Sequence, residues 1–462
     1  MHFCTLAGQL RHIVEYHFNG LNSMNLTDLP NKLYFIGIGG VSMSALARHA
    51  HKLGFSVCGS DLRQNEYTRT LQQEGITVHF GHDAAHLADT QAVVVTTAVH
   101  QSNVELACAR NRGLPIYLRE QLLGAFFNGY SQRIAVCGTH GKTTVTAMVS
   151  HLLGKAGRQH TAFVGGTYLG NNYRYGGNLV VAEACEYNQS FLNLHPTLTL
   201  CLNVELDHPD CYADLSAVQR AFGSFLAQTE EDGSVILPHT LSSLHCGNSF
   251  LVGRDIFASN LRLRQGKPSF DVYLNGSFVG RCHLKLFGEH NVTNALFAIA
   301  ASHKLGLPAE SCVRWLSSFQ GVDRRFTVKQ GSFCRVVCDY AHHPTEIAAS
   351  ISCAKRMAAK GKVFCVFQPH TYTRTQAFWQ SFASCFEQAH QVIYLPIFSA
   401  REAPLKGITS SNLCSVAKCL GINALYCDDF SSAAYYLKGA VSSADVVLLL
   451  GAGDVNHLAD LL

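Results

Sequence analysis

No stretch of about 18 uninterrupted apolar residues occurs in this chain, so a helical membrane span is not expected. Charge is scarce too: only 15% of its 462 residues are charged, the formal net charge is +4, and no long lysine and arginine block appears. Without that electrostatic footprint a nucleic-acid partner is not expected, and small molecules are. The opening residues, MHFCTLAGQLRHIVEYHFNG, mix His, Arg and Glu among the apolar ones and lack the apolar core of a secretory signal; the expected location is the cytoplasm. There are 18 cysteines but no C-x-x-C pair. They stand singly in apolar segments such as RIAVC, LTLC and VFCVF, which reads as reduced thiols packing as small hydrophobes, against a disulfide framework or structural zinc. What is plentiful is hydrophobic content, 47%, enough for packed cores in about two to four domains.

Short apolar runs alternate with helix-like stretches along most of the chain, the rhythm of parallel sheets covered by helices. The expected class is α/β with three domains: residues 31–130 Rossmann-like, 131–321 a central ATP-binding phosphate-loop domain, and 322–462 Rossmann-like again. An extension, residues 1–30, precedes them. Within the central block SFLVG, SFDVYL and SFVGRCHLKLFG read as antiparallel strands.

Two glycine-rich turns carry the chemistry. In CGTHGKTT, a strand ending at Cys137 meets the turn Gly138-Thr139-His140-Gly141, and a helix opens at Lys142-Thr143-Thr144. Backbone N–H groups there and the Lys142 ammonium suit terminal phosphates, and the Thr143 hydroxyl suits Mg²⁺. Val136 stands where the usual motif has its first glycine; the alternative is a ligand-free turn. The other turn, Gly37-Ile38-Gly39-Gly40, has Ser42 in place of the third glycine of a dinucleotide fingerprint, and Asp61 ends the next strand. Dinucleotide, another nucleotide diphosphate or a plain tight turn all remain open on that segment.

Other residues collect at predicted strand ends, the ligand edge of parallel sheets. Glu183 and His208 are candidate metal ligands beside the phosphate loop. His290, Asn291 and Asn294 open a helix, where Asn also serves as a plain cap. Arg324-Arg325, Asp339-Tyr340 with His342-His343, and His370 with Arg374 supply imidazoles and guanidiniums, the latter suited to a carboxylate-bearing substrate.

Taken in order, FIGIGGVSMSALA, GSD, GTHGKTT, SFLNLHPTLTLCLNVELDHPDCY, HNVTNA, RRF, DYAHHPTE, QPHTYTR and GAGDV resemble the Mur ligase family from about Lys32 to Val455. The resemblance implies an ATP-dependent amide-forming ligase of peptidoglycan biosynthesis, working as a monomer or homodimer. UDP-N-acetylmuramate is held at Gly37, Gly39, Gly40, Ser42 and Asp61, with NAD not expected. ATP is held at 138–144 together with Asn291, Asn294, Arg325 and Asp339, and Mg²⁺ or Mn²⁺ at Thr143, Glu183 and His208. Tyr340, His342, His343, His370 and Arg374 surround L-alanine, and Lys142, His290, His342 and Arg374 act on the reacting groups. The implied chemistry is activation of the lactyl carboxylate as an acyl phosphate, followed by attack of the L-alanine amine. This chain departs from the family pattern at Cys185, Asn188, Cys338 and Ala341. Two rivals are a related ligase that attaches a tripeptide to the same UDP-sugar and a non-catalytic nucleotide-binding regulator.

Overall fold

The computed structural model describes residues 26–400 and 402–462. Most of the expected extension lies outside the described residues. Three sheets follow one another along the chain, of 5, 10 and 6 strands.

The first sheet is wholly parallel, in the order Thr77–Phe80, Ser56–Asp61, Lys32–Ile36, Ala92–Val95, Ile116–Leu118. Strand order reverses beside Lys32–Ile36, so a crevice opens at that strand's carboxyl end, where the first glycine turn begins. The strand is apolar on both faces because helices cover both, and Tyr34, Phe35 and Ile36 are fully buried.

The central sheet is parallel around Gln132–Cys137, which is flanked by Leu198–Cys201 and Leu179–Glu183. The helices Lys142–Lys155 and His290–Lys304 pack on one face, with Val145, Val149, Phe297 and Ile299 fully buried between them and the strands. One sequence expectation is corrected here. Ser249–Val252 pairs parallel with Ser234–Pro238, and the antiparallel run is Ile256–Arg264, Lys267–Leu274 and Ser277–His283, whose first strand the sequence reading passed over. Ile256–Arg264, IFASNLRLR, alternates apolar and charged residues only over its last four positions and is only partly buried, so its pattern is weak.

The third sheet has five parallel strands, Arg335–Asp339 among them, and one antiparallel edge strand, Thr327–Gln330, which its exposed polar residues had hidden. No helix among the described residues is long and apolar enough to cross a membrane.

Candidate active site

In the first turn Gly37 takes φ 80° and Gly40 caps the helix Val41–Lys52. Asp61 accepts the Gly39 N–H at 2.9 Å, and Asn65 donates to the Gly39 carbonyl at 3.0 Å. A Cβ on Gly39 would lie 2.7 Å from Thr68 Cγ2, so only glycine fits there. Asp61, expected to meet a ribose or base, thus commits one carboxylate oxygen to the shape of the turn. Ser42, in the helix's first turn, accepts from Arg119 at 3.4 Å.

In the second turn Gly138 has φ 142° and Gly141, at φ 87°, caps the helix Lys142–Lys155. Asn203, from the end of the neighbouring strand, accepts the His140 N–H at 2.8 Å and donates to the His140 carbonyl at 3.0 Å. The Thr139 hydroxyl accepts the Glu205 N–H at 2.9 Å. The loop is therefore pinned from behind, and Gly141 and Thr144 line the cavity described below. Lys142 folds back on Glu186, with Nζ 3.0 and 2.9 Å from its carboxylate oxygens. Burial alone would lower the ammonium's pKa, but the Glu186 charge outweighs it and keeps Lys142 protonated.

Of the expected metal ligands, Thr143 donates to Glu183 at 3.1 Å, and Gly165 N–H binds the other Glu183 oxygen. His208, at φ 53°, faces Glu186 at 3.8 Å and packs against Tyr187. Burial lowers the His208 pKa, leaving a neutral imidazole. By donor chemistry a hydroxyl, a carboxylate and an imidazole suit Mg²⁺ or Mn²⁺, and of these Thr143 and Glu183 are in direct contact. A second group, His140, Glu205 and His343, has ligand atoms within 4.8 Å of one another but does not suit a metal. His140 meets Glu346 at Nδ1 (3.1 Å) and Glu205 at Nε2 (3.4 Å), so both nitrogens carry protons. His343 Nδ1 accepts the Thr345 N–H at 3.3 Å, which leaves the proton on Nε2.

His343, assigned from sequence to the amino-acid pocket, is buried; its Nδ1 caps Pro344–Ala358, its ring packs edge-on against Phe378, and its Nε2 has no hydrogen-bond partner among the described residues. Arg374 is likewise buried, and its guanidinium already holds a carboxylate, Asp207 at 2.6 Å. His342 sits between Tyr340 and His370, and burial, helped by the Arg374 charge, lowers its pKa to about 3. His370 stacks on Phe398, and Arg324 and Arg325 both lie over the Tyr340 ring at 5.0 Å.

Between the central and third domains lies a cavity of about 690 Å³. Its lining includes His140, Gly141, Thr144, His290, Asn291, Asn294, Arg325 and Asp339, all expected from sequence. Asn294 donates to Asn291 at 2.9 Å, so the pair is oriented as a unit. Burial raises Asp339 to about 6, against the opposing Ser350 hydroxyl bond. Phe287 and Phe326, which the sequence reading missed, face one another across 5.2 Å at this cavity. Asn203 and Glu346 were also missed, and Glu186 and Asp207 were given no role. The only local hint for Glu186 and Glu346 was their place inside motifs already singled out, where each stands shortly after a chosen residue, Glu183 and His343 respectively.

Fold and site together define a phosphate-loop enzyme built of three α/β domains. Three family models match in series: the Mur ligase family catalytic domain over residues 32–131, the Mur ligase middle domain over 136–302, and the Mur ligase glutamate ligase domain over 324–453. A UDP-N-acetylmuramate–L-alanine ligase from Acetivibrio thermocellus is 38% identical over 94% of this chain and 96% of its own. Another, from Clostridium novyi, is 37% identical over 94% and 98%. The crystal structure of the UDP-N-acetylmuramate–alanine ligase from Thermotoga maritima superposes with a TM-score of 0.80 at 30% identity, covering 93% of this chain and 97% of that one. The chain belongs to the Mur ligase family.

Proposed function

We propose that this enzyme joins L-alanine to the lactyl carboxylate of UDP-N-acetylmuramate in peptidoglycan biosynthesis, converting ATP to ADP and phosphate. The observation that carries this reading is a glycine turn running into a Gly-Lys-Thr helix start, beside a cavity that the third domain completes, in a chain similar over nearly its whole length to ligases of that name.

ATP lies along the cavity, its phosphates over the amides of 138–144 and Lys142, its base between Asn291, Asn294 and the Phe287–Phe326 pair, with Arg325 and Asp339 reaching it from the third domain. The UDP diphosphate rests on the turn at Gly37, Gly39, Gly40 and Ser42. A divalent ion, Mg²⁺ or Mn²⁺, held by Thr143, Glu183 and His208 supplies charge neutralisation at the phosphates. The lactyl carboxylate attacks the γ-phosphorus as the bond to ADP breaks, and Lys142 and the loop amides stabilise the negative charge that builds up. The L-alanine amine then attacks the acyl carbon, phosphate leaves and the amine gives up a proton. His342, whose Nδ1 lies 3.0 Å from the Tyr340 carbonyl, presents Nε2 toward the amine. Arg374, His370 and Tyr340 shape that pocket, and His290 borders the reacting groups. Closure by the third domain keeps water from the labile acyl phosphate. The described cysteines are all free thiols, in keeping with a reducing cytoplasm. One chain carries the whole residue set, so a monomer or a homodimer serves equally.

Phosphate release from ATP with UDP-N-acetylmuramate tests the reading, comparing L-alanine, glycine, L-serine and the L-alanyl-γ-D-glutamyl-diaminopimelate tripeptide. The expected result is release dependent on L-alanine, with a product one alanyl residue heavier. Release only with the tripeptide would make this the other ligase, and no release in any mixture would leave a nucleotide-binding regulator.

At the first turn, Asp61→Ala is expected to raise the apparent KM for the UDP-sugar by about tenfold or more, through loss of a charge-assisted bond to Gly39. The KM for ATP should stay within a factor of about two, because the second turn is built separately. Equal rises in both would show that Asp61 supports the whole molecule and not that turn.

A further inference from the structure

Among the described residues, the phosphate loop meets the third domain directly at two side chains: the Thr143 hydroxyl, which accepts from Arg325 at 3.3 Å, and the His140 ring. The ring's partner there is Glu346, in the first turn of Pro344–Ala358, with Oε1 3.1 Å from His140 Nδ1. The other Glu346 oxygen accepts the His342 N–H at 3.1 Å. One carboxylate thus joins the loop that holds phosphate to the segment proposed to meet the amino acid. Both side chains are largely buried, at 16% and 17% exposure, so solvent screens the pair only weakly.

We propose that Glu346 is a positioning residue for the phosphate loop, making the loop's phosphate-holding shape depend on the third domain being closed over it. This rests on the reading of the site as an ATP-dependent ligase. The physical logic is local. Asn203 and the Glu205 N–H fix the backbone of the turn from within the central domain, while the His140 ring that projects from it is oriented by carboxylates. Glu205 comes from the central domain and is present whether the third domain is closed or not. Glu346 is contributed by the third domain. The groups facing the pair are Glu205 on the central side, and His342, His343 and Arg325 on the third-domain side. Burial alone would lower the His140 pKa, yet the two carboxylates lift it to about 9, so the ring is cationic at neutral pH and adds positive charge beside the loop. A free-standing phosphate loop needs no such arrangement. A loop that is to fire only after the amino acid is enclosed gains from it, since unproductive ATP hydrolysis is held down until the domains meet.

The test compares wild type with Glu346→Gln, which keeps an acceptor but removes the charge, and Glu346→Asp, which keeps the charge but shortens the reach. Binding of a non-hydrolysable ATP analogue by calorimetry is measured beside the kinetics, so nucleotide affinity is read even if the wild type proves to use another amino donor. Glu346→Gln is expected to weaken the analogue and to lower kcat/KM for ATP by about tenfold or more. The KM for UDP-N-acetylmuramate should stay within about twofold, and Glu346→Asp should recover part of the loss. The sign of the pH effect follows from the pair: Glu346 raises the His140 pKa, so the basic limb of kcat/KM for ATP should lie at clearly lower pH in Glu346→Gln than in the wild type. An unmoved basic limb with unchanged analogue affinity would overturn the proposal. So would a variant in which all three substrates suffer equally and the unfolding temperature drops, which marks a merely structural contact.

Discussion

Lys142→Ala is expected to lower L-alanine-dependent ATP turnover by about 10²–10³-fold or more, the loss that follows removal of a group aimed at transition-state charge. The structure adds what this change does to folding. Lys142 neutralises Glu186, which is only 2% exposed, so the single variant leaves a buried carboxylate without its cation. Breaking such a pair from one side costs about 3–5 kcal/mol, and the unfolding temperature should fall visibly. Two readouts separate chemistry from stability. In Lys142→Ala with Glu186→Gln the stranded charge is gone, and the unfolding temperature should recover most of the way to wild type. Turnover should not recover. If the double variant regains both, Lys142 serves the fold and the loop assignment fails.

Arg374→Ala should act at a different point. Arg374 and Asp207 come from different domains and meet with both side chains at 7% exposure. Removing the guanidinium is expected to cost about 3–5 kcal/mol at neutral pH and to raise the apparent KM for L-alanine more than that for the UDP-sugar. The pH dependence gives a sharper check. Burial would raise the Asp207 pKa, but Arg374, with help from His208 and His342, holds it well below the usual carboxylate range. Its folded pKa is thus depressed in the wild type, and the pair's stabilisation is fully present above the ordinary value of about 3.9 and lost as pH falls through the lower folded one. In Arg374→Ala burial is no longer opposed by the guanidinium, so Asp207 takes up a proton at a higher pH than in the wild type. The difference in unfolding free energy between the two proteins should therefore be largest above the pH at which Asp207 titrates in Arg374→Ala, and shrink as the pH falls through it. A gap independent of pH would show that the two groups do not interact as a charged pair. An unchanged L-alanine KM would remove Arg374 from the amino-acid pocket while leaving its role in joining the domains.

How much of this could be read from the chain alone varies by element. The strand into Gly138 and the helix from Lys142 were legible because apolar runs, glycine and the Gly-Lys-Thr signature are local signals. The parallel strand Lys32–Ile36 announced itself the same way. Thr327–Gln330 did not, since an exposed edge strand carries no hydrophobic pattern, and neither did Ile256–Arg264, whose alternation is confined to its last four positions. Among site residues, the capping role of His343 was not legible, because a histidine beside a strand end looks alike whether or not it caps a helix; the Thr345 N–H, 3.3 Å from Nδ1, shows the cap.

The sequence by itself determined the α/β class, the two glycine turns and the side chains that could serve phosphate and metal, all properties of residues close together in the chain. The tertiary structure alone decided which charges meet. Lys142 finds Glu186 across 44 residues and His140 finds Glu346 across 206, and no periodicity encodes a partner at such a distance. The physical reason is that a buried charge must be matched where the packed domains bring an opposite one, and that place is fixed by the fold as a whole.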